Sequence, residues 1–216
     1  MLRKEDGPKH QGLRRKLIEE LRTREPYDAA VLNAMAEIPR HFFLDPVFVT
    51  QAYSDTAFQI GAGQTISHPS TVAYQTTHLQ VRKGDKVMEI GTGSGYQTCV
   101  LLKLGAKVYS VERQRELYET TSKFLPSIGF QPKLFYGDGY KGLPAFAPFD
   151  RILVTCGAPF VPEDLLKQLK VGGILMIPVG EGKVQTMTRI TRTGESDFTT
   201  EKLKEFSFVP MLGDRV

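Results

Sequence analysis

The residues with the clearest chemical potential are glycines and acids at short spacing near the middle of the chain. Gly91, Gly93 and Gly95 form a G-x-G-x-G pattern after an apolar run, and Glu89 precedes the first glycine by two residues. Such glycines permit a tight turn and let a ligand approach the backbone at the end of a strand. A dinucleotide-binding loop would need its third glycine at position 96, which is Tyr96 here. The spacing therefore does not favour a dinucleotide with its pyrophosphate.

Two further acids follow the next two apolar runs of the chain. Glu112 lies 21 residues after Gly91, where a carboxylate can accept hydrogen bonds from both hydroxyls of a ribose. Asp138, in a Gly-Asp-Gly sequence, could accept one from an adenine amino group. Acids after consecutive parallel strands lie along one edge of a sheet, which is where open α/β sheets bind ligands.

The elements that must position these acids alternate between strands and helices from residue 70 onward. Helices are predicted at 70–80, 95–104, 113–125 and 162–169, and strands at 86–90, 107–111, 132–136, 149–155 and 174–178. This alternation is typical of βαβ units with right-handed crossovers. Segments 184–191 and 203–209, joined by the polar turn 193–196, are predicted to form a closing hairpin. The predicted fold class is α/β: a doubly wound, mostly parallel seven-stranded sheet with N-terminal helices and a C-terminal hairpin.

The first 69 residues have a different character. Helices are predicted at 12–24 and 28–37 from apolar residues at helical spacing. Residues 53–69 show neither helical nor strand periodicity but contain apolar anchors, so we expect an ordered, functional loop. We therefore divide the chain into an N-terminal helical extension with a substrate and cofactor loop, 1–69, and a ligand-binding core, 70–216, within one compact domain.

Composition and charge exclude several protein classes. The 216 residues are 41% hydrophobic with a net charge of +4, which argues against disorder, and no apolar run approaches the roughly 20 residues that cross a bilayer. No secretory signal is recognised. Two cysteines, Cys99 and Cys156, are too few for a disulfide framework or a zinc site. We expect a cytoplasmic monomer with reduced thiols, no metal, no membrane and no nucleic-acid partner.

Several motifs together resemble a known enzyme family. The G-x-G-x-G spacing with its upstream acid resembles the S-adenosylmethionine loop of class I methyltransferases. Residues 61–69, GAGQTISHP, resemble the G-x-G-Q-T-I-S-x-P signature of protein-L-isoaspartate O-methyltransferases. The likeness covers roughly residues 30–212 and includes the segments 87–98, 111–113, 137–139, 148–150, 154–155, 169–180 and 208–210. Two positions depart from the family pattern: His68 replaces the usual Gln or Ala, and Cys156-Gly157 replaces Ala-Ala.

The resemblance implies a methyl transfer from S-adenosylmethionine to the free α-carboxylate of L-isoaspartyl residues in damaged proteins and peptides. S-adenosylhomocysteine is the product, and the ester initiates repair through a succinimide. The resemblance implies Ser67 as the catalytic residue. It implies these cofactor-binding residues: Gln64, Thr65, Ile66, Ser67, Glu89, Gly91, Thr92, Gly93, Gly95, Glu112, Arg113, Asp138 and Gly139. A carboxylate with a pKa near 4 is already ionised at neutral pH, so the reaction needs no general base.

Each candidate residue also has a simpler structural explanation. Ser67 could cap a helix, Glu89 could interact with a helix dipole, Glu112 could be a solvated acid or pair with Arg113, and Asp138 could form an Asx turn.

Two other functional classes remain open. A nucleic-acid methyltransferase would use the same glycine loop, but the segment 154–159, VTCGAP, lacks both an Asn/Asp-Pro-Pro-aromatic motif and a Pro-Cys nucleophile. A cofactor-binding module without catalysis is the non-enzymatic alternative.

Overall fold

The computed structural model describes residues 5–213 and forms helices on both faces of a central sheet. The helices are α1 Pro8–Arg24, α2 Ala29–Glu37, α3 Pro69–Leu79, α4 Tyr96–Lys103, α5 Arg115–Ser127 and α6 Glu163–Lys167. The strands are β1 Phe58–Gly61, β2 Gln64–Ile66, β3 Lys86–Ile90, β4 Lys107–Glu112, β5 Lys133–Tyr136, β6 Phe149–Val154, β7 Leu169–Val179, β8 Gln185–Arg192 and β9 Phe198–Phe206. Short 3-10 helices occur at Arg40–Phe43, Pro46–Gln51 and Pro144–Phe146.

The main sheet has seven strands in the order β5-β4-β3-β6-β7-β8-β9. The first five of these are parallel, and β8 and β9 are antiparallel to their neighbours. From β3 the chain proceeds outward to β4 and β5 and then returns to place β6 on the other side of β3. Strand order therefore reverses between β3 and β6, and such a switch point opens a crevice at the carboxyl ends of the strands.

The central strands are buried on both faces, as parallel strands covered by helices must be. Val87–Ile90 in β3 and Arg151–Val154 in β6 are buried without interruption. These two strands consequently form a rigid base directly beneath the crevice.

The N-terminal helices share a hydrophobic core with the rest of the protein. Leu17 and Leu21 of α1 and Met35 of α2 belong to the same cluster of buried side chains as Val100 of α4 and Leu125 of α5. The segment 38–68, between α2 and α3, contributes buried side chains such as Phe43, Phe58 and Ile66 to the same core.

The seven-stranded, mostly parallel sheet with a C-terminal hairpin confirms the predicted fold class. Four local predictions differ from the structure. Helix α1 begins at Pro8, four residues before its predicted start at residue 12. The segment 53–69 contains a small antiparallel ribbon, β1–β2, in which Phe58 pairs with Ile66. Its strands are too short to show a period, and the turn between them has positive φ at Gly61, Ala62 and Gly63.

The other two differences concern strand length. β7 begins at Leu169 and not at residue 174, so α6 is shorter than predicted. A bulge at Gly172 and Gly173 interrupts the pairing of β7 with β6. Because of this bulge, the first half of β7 shows no continuous strand pattern in the sequence. β9 spans Phe198–Phe206, so it begins five residues and ends three residues earlier than predicted. It is largely exposed, so its apolar pattern is weak.

Candidate active site

A cleft opens at the carboxyl ends of the central strands. Seven of the residues implied by the family resemblance line it: Gln64, Thr65, Gly91, Gly93, Glu112, Arg113 and Gly139. Ile66, Ser67, Glu89, Thr92, Gly95 and Asp138 are not among the lining residues.

The glycine loop connects β3 to α4 along the base of the cleft. Gly91 has φ +95°, and a Cβ there would lie 2.5 Å from Oγ1 of Thr155. Gly95 has φ +83°, and its Cβ would lie 2.8 Å from a methyl carbon of Leu125. Both positions require glycine for two reasons. The backbone has a left-handed φ, and a Cβ would collide with a side chain of a neighbouring element.

Glu112, the last residue of β4, has its carboxylate fixed by the backbone beneath the cleft. Its two oxygens accept hydrogen bonds from N–H groups of Gly93 and Gln114, both at 2.8 Å. The residue is buried and does not pair with Arg113, whose Nε donates to the carbonyl of Gly213 at 2.9 Å. Each carboxylate oxygen has two lone pairs, so Glu112 can still accept hydrogen bonds from two ligand hydroxyls.

Glu89 lies below the loop, between β4 and α4. It is fully buried, and its Oε2 accepts hydrogen bonds from Ser110 at 2.6 Å and from Thr98 at 2.5 Å. Burial raises its pKa to about 7. Glu89 therefore contacts β4 and α4, two elements next to the glycine loop. The hydroxyl of Ser110 also lies 2.6 Å from the hydroxyl of Thr92 in the loop.

Asp138 lies after β5 at the edge of the cleft. Its Oδ1 accepts a hydrogen bond from Tyr140 N at 2.9 Å, which is the geometry of an Asx turn. This contact orients the carboxylate beside Gly139, which lines the cleft. The Asx turn is therefore present, and it is compatible with a ligand contact through the same side chain.

Ser67 lies between the β1–β2 ribbon and α3. The helix is capped at His68 without a side-chain hydrogen bond, and the N–H of Ser70 donates to Asp55 at 2.8 Å. Ser67 is thus not the N-cap, and within residues 5–213 its hydroxyl has no hydrogen-bond partner. It follows Thr65, a cleft residue, by two positions. The hydroxyl is available to a substrate in a way that a capping hydroxyl would not be.

Sequence reasoning did not assign several residues of the cleft wall. They are Ile90, Val111, Gln114, Thr155, Cys156 and the segment 209–212. Thr155 donates to the carbonyl oxygens of Ile90 at 2.9 Å and Gly91 at 2.7 Å, so it links β6 to the glycine loop. Its place after an apolar strand could have indicated it. The family likeness at 154–155 and 208–210 included both regions of the cleft wall without assigning them a role.

Cys156 is a poor candidate for a nucleophile. Burial, with a smaller contribution from the Glu112 carboxylate, raises the pKa of its thiol to about 12. The reactive form of cysteine is the thiolate, which this environment disfavours. This argues against cytosine C5 chemistry.

The cleft residues fit S-adenosylmethionine. A fixed acid after the second parallel strand suits a ribose, glycines without side chains leave room over the strand ends, and Asp138 suits an adenine. Within the described range 5–213, no group of three or more His, Cys, Asp or Glu is arranged to hold a metal. No helix in that range is both long and apolar enough to cross a membrane.

Comparison with known proteins agrees with this chemistry. Residues 12–216 match the family model of protein-L-isoaspartate(D-aspartate) O-methyltransferase. A protein-L-isoaspartate O-methyltransferase from Flavobacterium johnsoniae is 56% identical, over 97% of this chain and 99% of its own. One from Dictyoglomus thermophilum is 44% identical, over 98% and 96%.

Solved structures extend the likeness to the fold. A structure from Plasmodium falciparum, described as a protein-L-isoaspartate O-methyltransferase in complex with S-adenosyl-L-homocysteine, has a TM-score of 0.81 and 25% identity. The match covers 92% of this chain and 98% of the Plasmodium falciparum chain. With the family match, the near full-length relatives and the cleft geometry in agreement, this chain belongs to the protein-L-isoaspartate O-methyltransferase family.

Proposed function

We propose that the cleft residues of this protein catalyse methyl transfer from S-adenosylmethionine to the α-carboxylate of L-isoaspartyl residues in damaged proteins and peptides. The observation that carries the assignment is the buried Glu112 carboxylate, which two backbone N–H groups hold under the cleft beside the glycine loop. Such an acid selects a ligand with paired hydroxyls, and its position next to β3 is that of a ribose-binding acid.

The chain's own contribution is binding and alignment. When bound, S-adenosylmethionine supplies a methyl group activated by a positively charged sulfur. Glu112 would accept hydrogen bonds from the ribose hydroxyls, Asp138 would accept one from the adenine amino group, and the loop from Gly91 to Gly95 would leave room for the ligand over the strand ends. Alignment of reacting groups is worth on the order of 7–11 kcal/mol, and no base is required because the nucleophile is already ionised.

Ser67 is proposed to orient the substrate. Its hydroxyl donates to one oxygen of the α-carboxylate and leaves the other directed at the methyl group. The support for this role is that its hydroxyl has no hydrogen-bond partner among residues 5–213 and that the residue closely follows the cleft residues Gln64 and Thr65 along the chain. We assign it no role as a nucleophile, since no base is hydrogen-bonded to its hydroxyl among residues 5–213.

A methyl-transfer assay with matched peptides tests the function. One peptide carries Asp and the other isoAsp at the same position, and transfer of a radioactive methyl group is measured for both. We expect base-labile methyl esters on the isoAsp peptide only. Equal labelling of both peptides, or labelling of RNA or DNA in a parallel reaction, would contradict the assignment. Cofactor binding without any turnover would support the non-catalytic module.

The assembly and the compartment are also proposals. We propose a cytoplasmic location, because Cys99 and Cys156 are both free thiols, as in a reducing compartment. We also propose that the protein is a monomer. Sedimentation at several concentrations tests the monomer, and fractionation of cells tests the compartment.

A further inference from the structure

We propose that Arg40 is a positioning residue for methyl transfer, because its guanidinium ties together the two ends of the segment that carries Ser67. The inference rests on the proposed role of Ser67. Arg40 was not singled out by any sequence pattern and lies in a short 3-10 helix, Arg40–Phe43, outside the cleft wall.

The contacts of Arg40 converge on one segment of backbone. Its Nε donates to the carbonyl of Ala52 at 3.1 Å, and its Nη2 donates to the carbonyls of Thr56 at 3.2 Å and Ser67 at 2.8 Å. The partners are 12, 16 and 27 residues away along the chain. A single side chain therefore links the beginning of the segment to the peptide carbonyl of Ser67 itself.

The same guanidinium also contacts the cofactor side of the site. Its central carbon lies 5.0 Å from the ring centroid of Tyr96, which is the first residue of α4 after the glycine loop. Arg40 thus connects the Ser67 segment with helix α4, which begins at Tyr96. Relative placement of these two elements decides the distance between substrate carboxylate and methyl group.

Burying the charged side chain of Arg40 costs free energy that its contacts do not fully offset. The side chain is fully buried, and within residues 5–213 no carboxylate lies at salt-bridge distance from it. Burial lowers its pKa to about 10, which still leaves the group charged at neutral pH. Its Nη1 has no hydrogen-bond partner among the described residues. A buried charge with carbonyl partners alone is a poor source of stability, which favours a role in positioning.

Arg40→Lys tests the proposal, because lysine keeps the charge but lacks the planar fork that reaches several carbonyls at once. The control is Arg151→Lys. Arg151 is also buried and also donates to backbone carbonyls, those of Gln80 at 3.1 Å and Asp150 at 2.7 Å, but it does not line the cleft. Both variants are compared by thermal melting, by calorimetric titration with S-adenosylmethionine and by steady-state kinetics with an isoaspartyl peptide.

We expect Arg40→Lys to lower kcat/KM roughly 10- to 100-fold, as expected for a misplaced reacting group, and to leave cofactor affinity within about twofold. Arg151→Lys should lower Tm to a similar extent and keep kcat/KM. If Arg40→Lys is unfolded at the assay temperature, Arg40→Gln replaces it, because glutamine removes the buried charge and keeps one donor. Wild-type kcat/KM in a folded Arg40 variant would overturn the proposal.

A double-mutant cycle separates this proposal from the assignment of Ser67. If Arg40 acts through Ser67, Arg40→Lys should cost less than about threefold in a Ser67→Ala background, because coupled residues are not additive. A full, additive loss in that background would overturn the role of Arg40 and leave that of Ser67 intact. An unchanged kcat/KM in Ser67→Ala alone would overturn both roles, and failure of the wild-type protein to methylate the isoAsp peptide would overturn the proposed function itself.

Discussion

The three acids predicted at the strand ends have similar sequence settings, but only Glu112 lines the cleft. Glu112 is held by two backbone N–H groups, Asp138 closes a turn with one oxygen, and Glu89 is fully buried against two hydroxyls. Position after a strand therefore does not decide the role of an acid. The neighbouring N–H groups and the degree of burial decide it.

Asp138 offers a test that separates ligand binding from turn formation. Asp138→Ala removes both the adenine acceptor and the turn contact with Tyr140, whereas Asp138→Asn keeps an oxygen for the turn and replaces an acceptor by an N–H₂ donor. We expect both variants to lose about 1–3 kcal/mol of S-adenosylmethionine binding in calorimetry. Loss of affinity in the alanine variant alone would show that Asp138 serves only the turn.

Ser67→Ala tests the orienting hydroxyl. One hydrogen bond to a charged group is worth about 1.5–3 kcal/mol, so kcat/KM for an isoaspartyl peptide should fall roughly 10- to 150-fold. Cofactor affinity and Tm should change little, because the hydroxyl has no partner among the described residues and does not cap α3. Ser70→Ala is the control, since Ser70 interacts with Asp55 at the start of α3. That variant should lose stability and keep its turnover. Normal turnover in Ser67→Ala would remove Ser67 from the mechanism.

At the scale of elements, the glycine loop depends on close contact between α4 and α5. Gly95→Ala combines a left-handed φ of +83° with a Cβ 2.8 Å from Leu125. Gly129→Ala has a similar φ of +87° but nothing within 4 Å, so it isolates the backbone cost. We expect the Gly129 variant to lose about 1–2 kcal/mol of unfolding free energy and the Gly95 variant about 1–3 kcal/mol more.

Urea denaturation measures this difference, and calorimetry should show weakened S-adenosylmethionine binding for Gly95→Ala alone. Equal stability of the two variants would mean that Leu125 moves aside without cost, and the argument for a close contact would fail.

At the scale of the whole molecule, Glu89 couples stability to pH. Burial raises its pKa from 4.5 to about 7, so the folded protein binds this proton more tightly than the unfolded chain does. The resulting stability is complete below about pH 4.5 and is lost as pH rises through about 7. Relative to Glu89→Gln, the wild-type free energy of unfolding should therefore fall by up to about 3 kcal/mol between pH 4.5 and pH 8. Urea titrations at four pH values give the difference curve, and a flat curve would contradict the raised pKa.

The activity of the enzyme should respond to pH differently. Since the substrate carboxylate is ionised and no enzyme base acts, kcat/KM should be nearly constant from about pH 6 to 8. A midpoint near 7 would indicate that an enzyme group matters. Glu89→Gln and His68→Gln then identify it, because the midpoint disappears only in the variant that lacks the titrating group.

Much of this protein could be predicted from the chain alone, because the relevant signals are local. Apolar runs alternating with helical patterns predict the parallel sheet, and the glycine spacing predicts a left-handed loop after β3, where Gly91 and Gly95 do adopt positive φ. Glu112 follows β4 directly, and parallel strands bring their carboxyl ends to one edge. The mostly parallel seven-stranded sheet and the position of Glu112 at its carboxyl edge follow from these features, whereas the order of the strands was not predicted.

Other properties were decided only by the tertiary structure, since they depend on groups that are distant in sequence. The burial of Glu89 requires Ser110 and Thr98 from neighbouring elements. The contribution of the segment 209–212 to the cleft wall requires its pairing with Gly157, which accepts from Met211 at 2.7 Å. The availability of the Ser67 hydroxyl depends on Asp55 at the start of α3, and Arg40 reaches the Ser67 carbonyl across 27 residues. Hydrogen bonds across such separations leave no periodic or spacing signal in the sequence, because only the packed fold brings their partners together.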